Sequence, residues 1–485
     1  MLGAVRSWLF GAPQPAPARG ARHEASLDRK EDRNHWQFAD GAGARDANDP
    51  GQRKTVRDRS DYETDHNGYL NGLVRQIAND LIGTGPRLQL TVEPEQRDAA
   101  RRVERSFTRW CKATGFARKA RLMERNRVVL GEMFAQVITN PKVRHPVKLD
   151  LFDIHPARVT GGYLRPDGRD EVDGIRFDAA GNPVSYRVLV QPANDTFAVT
   201  LQTETLPAEA VVHWWRKDKP GQYRGFPETA PTLLVGAQLR RYGAAVLTAA
   251  EAAAMIAGVL KTNGTPPTDD AGNPSVQTMD EVALARGSFL ALPDGWDASA
   301  FRAEQPTTTY GDFSGNKLNE VSRPHLVPKN LITGDSSGFN FASGKLDHLP
   351  YQQSVWINRD EFRERVLDPV FLLWLEEATL AGEIPPGLPP YADWDWDWYW
   401  DGFASINPEK DAAAAEKRLA LSLTTRQELC AEEGKDWEDV MTQQAKELAR
   451  QKELEAEYGV TFPAPANAPA PAAPAATPEE AAVGQ

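Results

Sequence analysis

Four groups of residues carry types and spacings that could do chemistry. Gly334-Asp-Ser-Ser-Gly338 matches the G-x-S-x-G elbow that presents a nucleophilic serine, here Ser336. That chemistry also needs a strand before the elbow and later acid and base partners. Pro328 to Thr333 is not a buried apolar strand, and the downstream Asp347 and His348 are adjacent, so they point apart in most backbones. An ordinary turn is the expected reading, with a serine hydrolase as the enzymatic alternative. Gly338 to Lys345 is a near miss for a phosphate-binding loop: one residue too many separates its glycines, and Leu346 stands where a hydroxyl would hold magnesium. Asp393, Asp395, Asp397 and Asp401 alternate with tryptophans. On a strand, successive carboxylates on one face stand roughly 6.6 Å apart, too far for three to grip one small ion. A solvated acidic face behind a tryptophan face is expected. Arg101, Arg102, Arg105, Arg109, Lys112, Arg118, Lys119 and Arg121 could touch phosphate or pair with acidic neighbours. The eight histidines form no metal-ligand spacing, and His213, beside Trp214 and Trp215, reads as packed. Nothing calls for a metal or cofactor.

The elements that must position these residues alternate between helical and extended stretches, which makes the chain α+β. Residues 1–60 read as an N-terminal arm, mobile because it is rich in Ala, Pro, Gly and charge, with Trp36 and Phe38 as possible anchors on another chain. From residue 61 the periodicity is helical: Tyr69, Leu70, Leu73, Val74, Ile77, Ala78, Leu81 and Ile82 share one face, and Gly83-Thr-Gly-Pro86 stops the helix. Leu88, Leu90 and Val92 alternate as a short strand, and a second helical region runs from about 95 to 132. Period-two stretches between turns predict an antiparallel β unit over 133–215. An alanine-dense helix follows over 228–260, roughly 45 Å long. A turn-rich stretch at 262–274, a strand at 287–292 and a polar loop at 303–311 come next. Helices are predicted at 312–323 and 342–382, an extended segment at 391–401, and a helical pair over 408–458 broken near Gly434. The Ala/Pro-rich tail, 461–485, should be disordered.

The chain has 485 residues, 41% apolar and 26% charged, enough for several cores. No run of about 18 apolar residues predicts a membrane span, and the N-terminal apolar patch lacks the cleavage pattern of a signal peptide. Cys111 and Cys430 lie far apart, which fits a reducing cytosol and no disulfide scaffold. The net charge of −12 is uneven: residues 1–150 carry +8, 151–300 carry −5 and 301–485 carry −15.

Four stretches together resemble the lambda-type portal proteins of tailed bacteriophages. They are Tyr62 to Leu70 running into Ile77 to Gly85; His213-Trp-Trp-Arg-Lys-Asp-Lys-Pro-Gly-Gln-Tyr-Arg-Gly225; Leu331 to Ser343; and Asn407-Pro-Glu-Lys410 with Leu423 to Glu428. The chain departs from the family's pattern at Val321 to Pro328, where a small-residue run is usual, and around Gly344-Lys345, where an arginine is common.

The resemblance implies a ring-forming portal fold of wing, stem, clip and crown. In chain order these would be the arm 1–60, wing 61–227, stem helix 228–260, clip and return 261–302, channel loop with its helix 303–323, further wing 324–407, and crown 408–460. It implies a ring of about twelve subunits at one capsid vertex. That ring passes genomic double-stranded DNA during packaging and ejection. It docks the terminase large subunit and a head–tail adaptor, and assembles with major capsid protein and scaffold. Arg302, Gln305, Thr307, Thr308, Thr309 and Lys317 would face the channel, and Lys261, Asn263, Asp269 and Asp270 would meet the motor. A virion scaffold or adaptor without a DNA channel is the non-enzymatic alternative. The location would be the virion, with assembly in the host cytoplasm and no membrane partner.

Overall fold

The computed structural model describes residues 49–160, 171–190, 202–255, 259–262, 268, 271, 296–299, 310–405 and 407–462. The strand at 287–292, most of the 262–274 and 303–311 stretches and the tail from 463 lie outside them.

The first helix, α1 (Pro50–His66), begins before the expected arm ends. Asp49 caps it, accepting from the backbone N–H groups of Gly51 and Gln52 at 2.9 and 3.0 Å, and Pro50 occupies the first turn, where no N–H is needed. Its inward face is Arg53, Arg57, Ser60 and Thr64, all buried. A search for apolar periodicity overlooks such a face because its side chains are polar; Arg53, Arg57 and Ser60 find their partners elsewhere in the fold. Asn67 ends α1 and caps α2 (Gly68–Ile82), whose buried face is the predicted one except at Tyr69, which sits in the first turn and is exposed. Gly83 and Gly85 then take φ of +57° and +112°, which glycine adopts without strain. Asp401 completes that turn, accepting from the Thr84 N–H at 2.6 Å.

Strand β1 (Arg87–Thr91) leads to α3 (Arg97–Thr114) and α4 (Phe116–Leu130), separated by Gly115 in the left-handed region. The β unit forms two antiparallel sheets. In the first, β2 (Glu132–Thr139) lies between β3 (Leu149–Ile154) and β8 (Val211–Trp215). In the second, β4 (Glu171–Val172), β5 (Ile175–Phe177), β6 (Pro183–Leu189) and β7 (Thr203–Pro207) form a meander. Phe134, Ile154, Val159, Ile175, Tyr186, Val188 and Leu206 fill the space between the sheets.

The long helix is α5 (Ala230–Met255), 26 residues and about 39 Å. It stops short of the predicted residue 260. Val259 and Leu260 belong instead to β9 (Val259–Thr262), paired antiparallel with β10 (Trp296–Ser299), so their backbone groups bond across a ribbon rather than along a helix. Helix α6 (Tyr310–Ser322) returns along α5, beginning inside the expected polar loop.

After the short α7 (Lys329–Thr333), the single helix expected over 342–382 proves to be two. These are α8 (Phe341–Phe362) and α9 (Asp368–Leu380), joined by a π-helical turn over Arg363–Leu367. The wide turn falls just before Pro369, which lacks the N–H an uninterrupted α-helix would use. Strand β11 (Asp395–Tyr399) pairs with β1, aligning Leu88 with Trp398 and Leu90 with Trp396. The tryptophans face inward, and Trp396 and Trp398 both donate to Asp368, at 2.7 and 2.8 Å. Asp393, Asp395 and Asp397 stay exposed. This face closes on Phe107, Trp110, Phe371 and Trp374, whose ring centroids lie 5.1 to 6.0 Å apart in the contacting pairs. Burying each such ring stabilises the core by roughly 2 to 3 kcal/mol.

The C-terminal part has three helices where two were expected: α10 (Pro408–Ala420), α11 (Arg426–Glu432) and α12 (Trp437–Tyr458). Ser422, at φ +56°, makes the additional break, and Gly434 makes the predicted one. None of these helices has a buried residue.

Candidate functional site

The densest polar constellation lies where the long helix leaves the body of the protein. Glu132, at the start of β2, has no solvent exposure. It accepts from Arg57 Nη2 at 2.9 Å, from Arg224 Nη2 at 2.7 Å and Nε at 2.9 Å, and from the Gly225 N–H at 3.0 Å; His213 Nε2 lies 3.2 Å away. Arg224 also donates through Nη1 to Asp173 Oδ2 at 2.9 Å and to the Val159 carbonyl at 3.0 Å, and its guanidinium lies 5.3 Å from the Phe134 ring centroid. Arg53 reaches the same Asp173. A lysine could not satisfy this many fixed directions at once.

Burial alone would raise the Glu132 pKa, but the Arg224 charge, the His213 and Arg224 hydrogen bonds and Arg57 hold it well below the carboxylate range. Burial drives His213 down to about 4, against the opposing pull of Glu132, so this imidazole is neutral at pH 7. Burial and the Arg224 charge lower Arg53 to about 9, and Arg53 stays a cation at neutral pH.

A second cluster adjoins the first. Arg127 is clamped by Glu124 at 2.7 and 2.8 Å and by Glu228 at 2.6 Å. Arg216 shares Glu228 at 2.6 Å, and the Trp214 indole donates to Glu124 at 2.8 Å. The loop from Trp215 to Glu228 is folded by Gln222, whose side-chain carbonyl accepts from the Asp218 and Lys219 N–H groups, both at 3.0 Å. The glycines are steric necessities. A Cβ on Gly225 would overlap the Gly131 carbonyl, and one on Gly131 would sit 2.5 Å from the Phe226 carbonyl carbon. The two clusters therefore join α1, α4, β2 and β8 to the entry of α5. With Glu132 fully enclosed and Arg224 at 2% exposure, no substrate can reach them. They set the direction of the long helix.

The helix itself offers a surface. Beyond Leu239, none of the described α5 side chains is buried, and Leu234 and Leu247 are 66% and 61% exposed. Tyr242 contacts Tyr310 and Phe313 of α6, with ring centroids 5.7 and 5.1 Å apart, so α5 and α6 form a two-helix rod without a core of its own. On α8, Leu346, Leu349, Trp356 and Ile357 form an exposed apolar stripe.

Among the residues expected to face a channel, Lys317 lies on α6 with Nζ 2.7 Å from Glu320, while Arg302, Gln305, Thr307, Thr308 and Thr309 lie outside the described residues. Lys261 is in β9, and Asn263, Asp269 and Asp270 also lie outside. The serine elbow is not supported by its surroundings. A short helix, α7, precedes it instead of a strand, and Ser336 Oγ accepts from Asn330 Nδ2 at 3.3 Å. Asn330 also lies 3.3 Å from His348 Nε2, and no Ser336–His348 hydrogen bond occurs among the described residues. Asp401 caps a turn and pairs with Arg87 at 2.7 Å.

Sequence reasoning missed Glu132, Arg53, Arg57 and Asp173. One signal was present: a lone acid opening an apolar run, in Glu132-Met-Phe-Ala135, implies a buried cationic partner.

The sequence model described as phage portal protein, lambda family, matches residues 30–356. The chain belongs to the lambda family of phage portal proteins. A probable portal protein of Halomonas phage phiHAP-1 is 24% identical, over 93% of this chain and 92% of its own length. Among solved structures, the neck of an empty gene transfer agent particle computed with C6 symmetry gives a TM-score of 0.43 at 15% identity, covering 73% of this chain and 90% of that one. The neck of the native particle, computed with C12 symmetry, gives 0.43 at 13% identity, covering 80% and 94%. The portal family is a structural one. In this portal protein the loop from His213 to Gly225, which carries the resemblance seen in the sequence, holds the joint together: His213, Gln222, Arg224 and Gly225 each have a named partner.

Proposed function

We propose that this portal protein assembles with about eleven copies of itself into a closed ring at one capsid vertex. The ring is the channel for double-stranded DNA in packaging and ejection. It is the docking site for the terminase large subunit and a head–tail adaptor, and it assembles with major capsid protein and scaffold in the host cytoplasm before residing in the virion.

The observation that carries this reading is the α5–α6 rod. A long alanine-rich helix with no buried side chain among the described residues of its distal half cannot be stable as an isolated spoke, and neighbouring copies of the same rod would supply the missing contacts. Exposed apolar side chains on two different elements, α5 and α8, favour head-to-tail contacts, which close into a ring where the rotation between copies closes. In this assignment α5 and α6 are stem, β9 and β10 open and close the clip, the β unit with α1–α4 and α7–α9 is wing, and α10–α12 are crown. Arg302, Gln305, Thr307, Thr308, Thr309 and Lys317 line the channel, and Lys261, Asn263, Asp269 and Asp270 meet the motor. The chain hydrolyses no nucleotide and acts as conduit and hub; a fluorophosphonate probe should leave Ser336 unlabelled. No helix among the described residues is long and apolar enough to cross a membrane.

Negative-stain microscopy of the purified full chain tests the assembly. Closed rings with a central hole wider than duplex DNA, roughly 20 Å, are expected. Only monomers and dimers at micromolar concentration would overturn the reading.

A further inference from the structure

The cations of α3 divide into two sets. Arg97 and Arg101 point toward α12, where Glu438 takes them at 2.6 and 3.0 Å and Asp436 takes Arg97 at 3.1 Å. Arg102, Arg105, Arg109 and Lys112 are exposed and make no ion pair with α12 among the described residues, although Arg105 and Lys112 line a cleft that Asp439 and Glu447 of α12 also line. At 100° per residue these four fall within about 80° of the helix circumference, over about 15 Å of its length. Asp98, one turn earlier, bounds the stripe.

The β2–β3 turn lies against the same helix: Ser106 Oγ is 3.2 Å from His145 Nε2, and the Trp110 indole donates to the Leu149 carbonyl at 2.8 Å. That turn adds exposed Lys142 and Arg144. Among the described residues, the carboxylate nearest these six cations is Glu383, at 4.0 Å from Arg109 and itself bonded to Ser106.

We propose that this face binds the phosphate backbone of duplex DNA without sequence preference, on a surface separate from the α5–α6 rod. Two features select a phosphate polymer over an acidic protein. A protein interface is anchored by exposed aromatic or large apolar side chains, and α3 and the β2–β3 turn, which carry the six cations, expose none; the exposed Leu380 stands at the border, three residues before Glu383. The cations are also arranged in a line. About 15 Å of duplex axis carries roughly nine phosphate charges, enough to engage all four α3 side chains without bending. On a chain of net charge −12, such a patch stands against an opposing background, which makes its contribution separable.

The test uses the full chain in its assembled state, with fluorescence anisotropy of two unrelated 30-base-pair duplexes between 50 and 200 mM salt. Both duplexes should bind equally, with affinity falling about a thousandfold over that range if five to six phosphates are engaged. The variant Arg102→Gln/Arg105→Gln/Arg109→Gln/Lys112→Gln should flatten the log–log salt slope by about 3 to 4. Lys217→Gln with Lys219→Gln, a pair of exposed cations elsewhere on the surface, should leave the slope unchanged. Salt-independent binding, an unaltered slope in the quadruple variant, or tighter binding to polyglutamate than to DNA would overturn the proposal, the last result assigning the face to an acidic protein. Ring images of the same preparations keep this outcome distinct from the assembly reading, since the substituted side chains touch neither α5 nor α6.

Discussion

Glu132→Gln isolates the joint. The substitution keeps shape and removes one charge from the centre of three arginines, so Arg57 and Arg224 lose the carboxylate that offsets their burial. Removing one partner of a buried pair costs about 3 to 5 kcal/mol, because the remaining charge is left uncompensated. Glu132 is fully enclosed and receives hydrogen bonds from Arg57, Arg224 and the Gly225 amide, which places it toward the upper part of that range. The loss should appear as local opening of α1 and β8. Native-state hydrogen exchange of the assembled protein reads it directly: about 4 kcal/mol corresponds to roughly a thousandfold faster exchange for amides protected by that opening. Amides of α9, which pack in the Phe107–Trp374 core away from Glu132, serve as the internal reference. Arg224→Met in the Glu132→Gln background should recover part of the protection, since it removes a charge left unpaired. Unchanged exchange in α1 and β8, or equal acceleration in α9, would refute the argument that this network holds the long helix in place.

His213 makes stability depend on pH with a definite sign. Its folded pKa of about 4 lies below the unpaired value near 6.5, so the unfolded chain binds more protons between those values. Stability is full above pH 6.5 and falls by up to about 3 kcal/mol as pH drops to 4. His213→Gln should flatten that part of a urea-midpoint profile. Gly225→Ala should yield little folded protein, measured as soluble expression and near-ultraviolet dichroism, because its Cβ overlaps the Gly131 carbonyl. Asp368→Asn weakens the acceptor shared by two indoles and should cost about 1 to 2 kcal/mol, seen as a shifted tryptophan emission transition. Leu234→Glu with Leu247→Glu should leave the monomer's circular dichroism intact while abolishing rings in mass photometry; persistent rings would move the subunit contact off α5.

Much of the architecture was legible from residue order because it rests on local periodicity. The apolar face of α2, the tryptophan face of β11 and the alanine density of α5 each announce their element through short-range spacing. The π turn at Arg363–Leu367 and the start of α1 were less legible. The first depends on how a helix accommodates Pro369, and the second on a buried face made of arginines and hydroxyls. The joint was read only as a recurring string from His213 to Gly225, since no periodicity marks a buried charge.

Sequence by itself determined the portal family, the order of helical and extended segments and the absence of any spacing that would build an active site. Tertiary structure alone decided which charges are enclosed and which remain available. Arg53, Arg57 and Arg224 meet Glu132 and Asp173 from as far as 120 positions apart in the chain, because burial is tolerable only where opposite charges converge. On α3, neighbouring arginines one residue apart have opposite fates. Arg101 is taken by a carboxylate of α12 and Arg102 is not, a distinction set by the direction each side chain leaves the helix and by what the fold brings to that side.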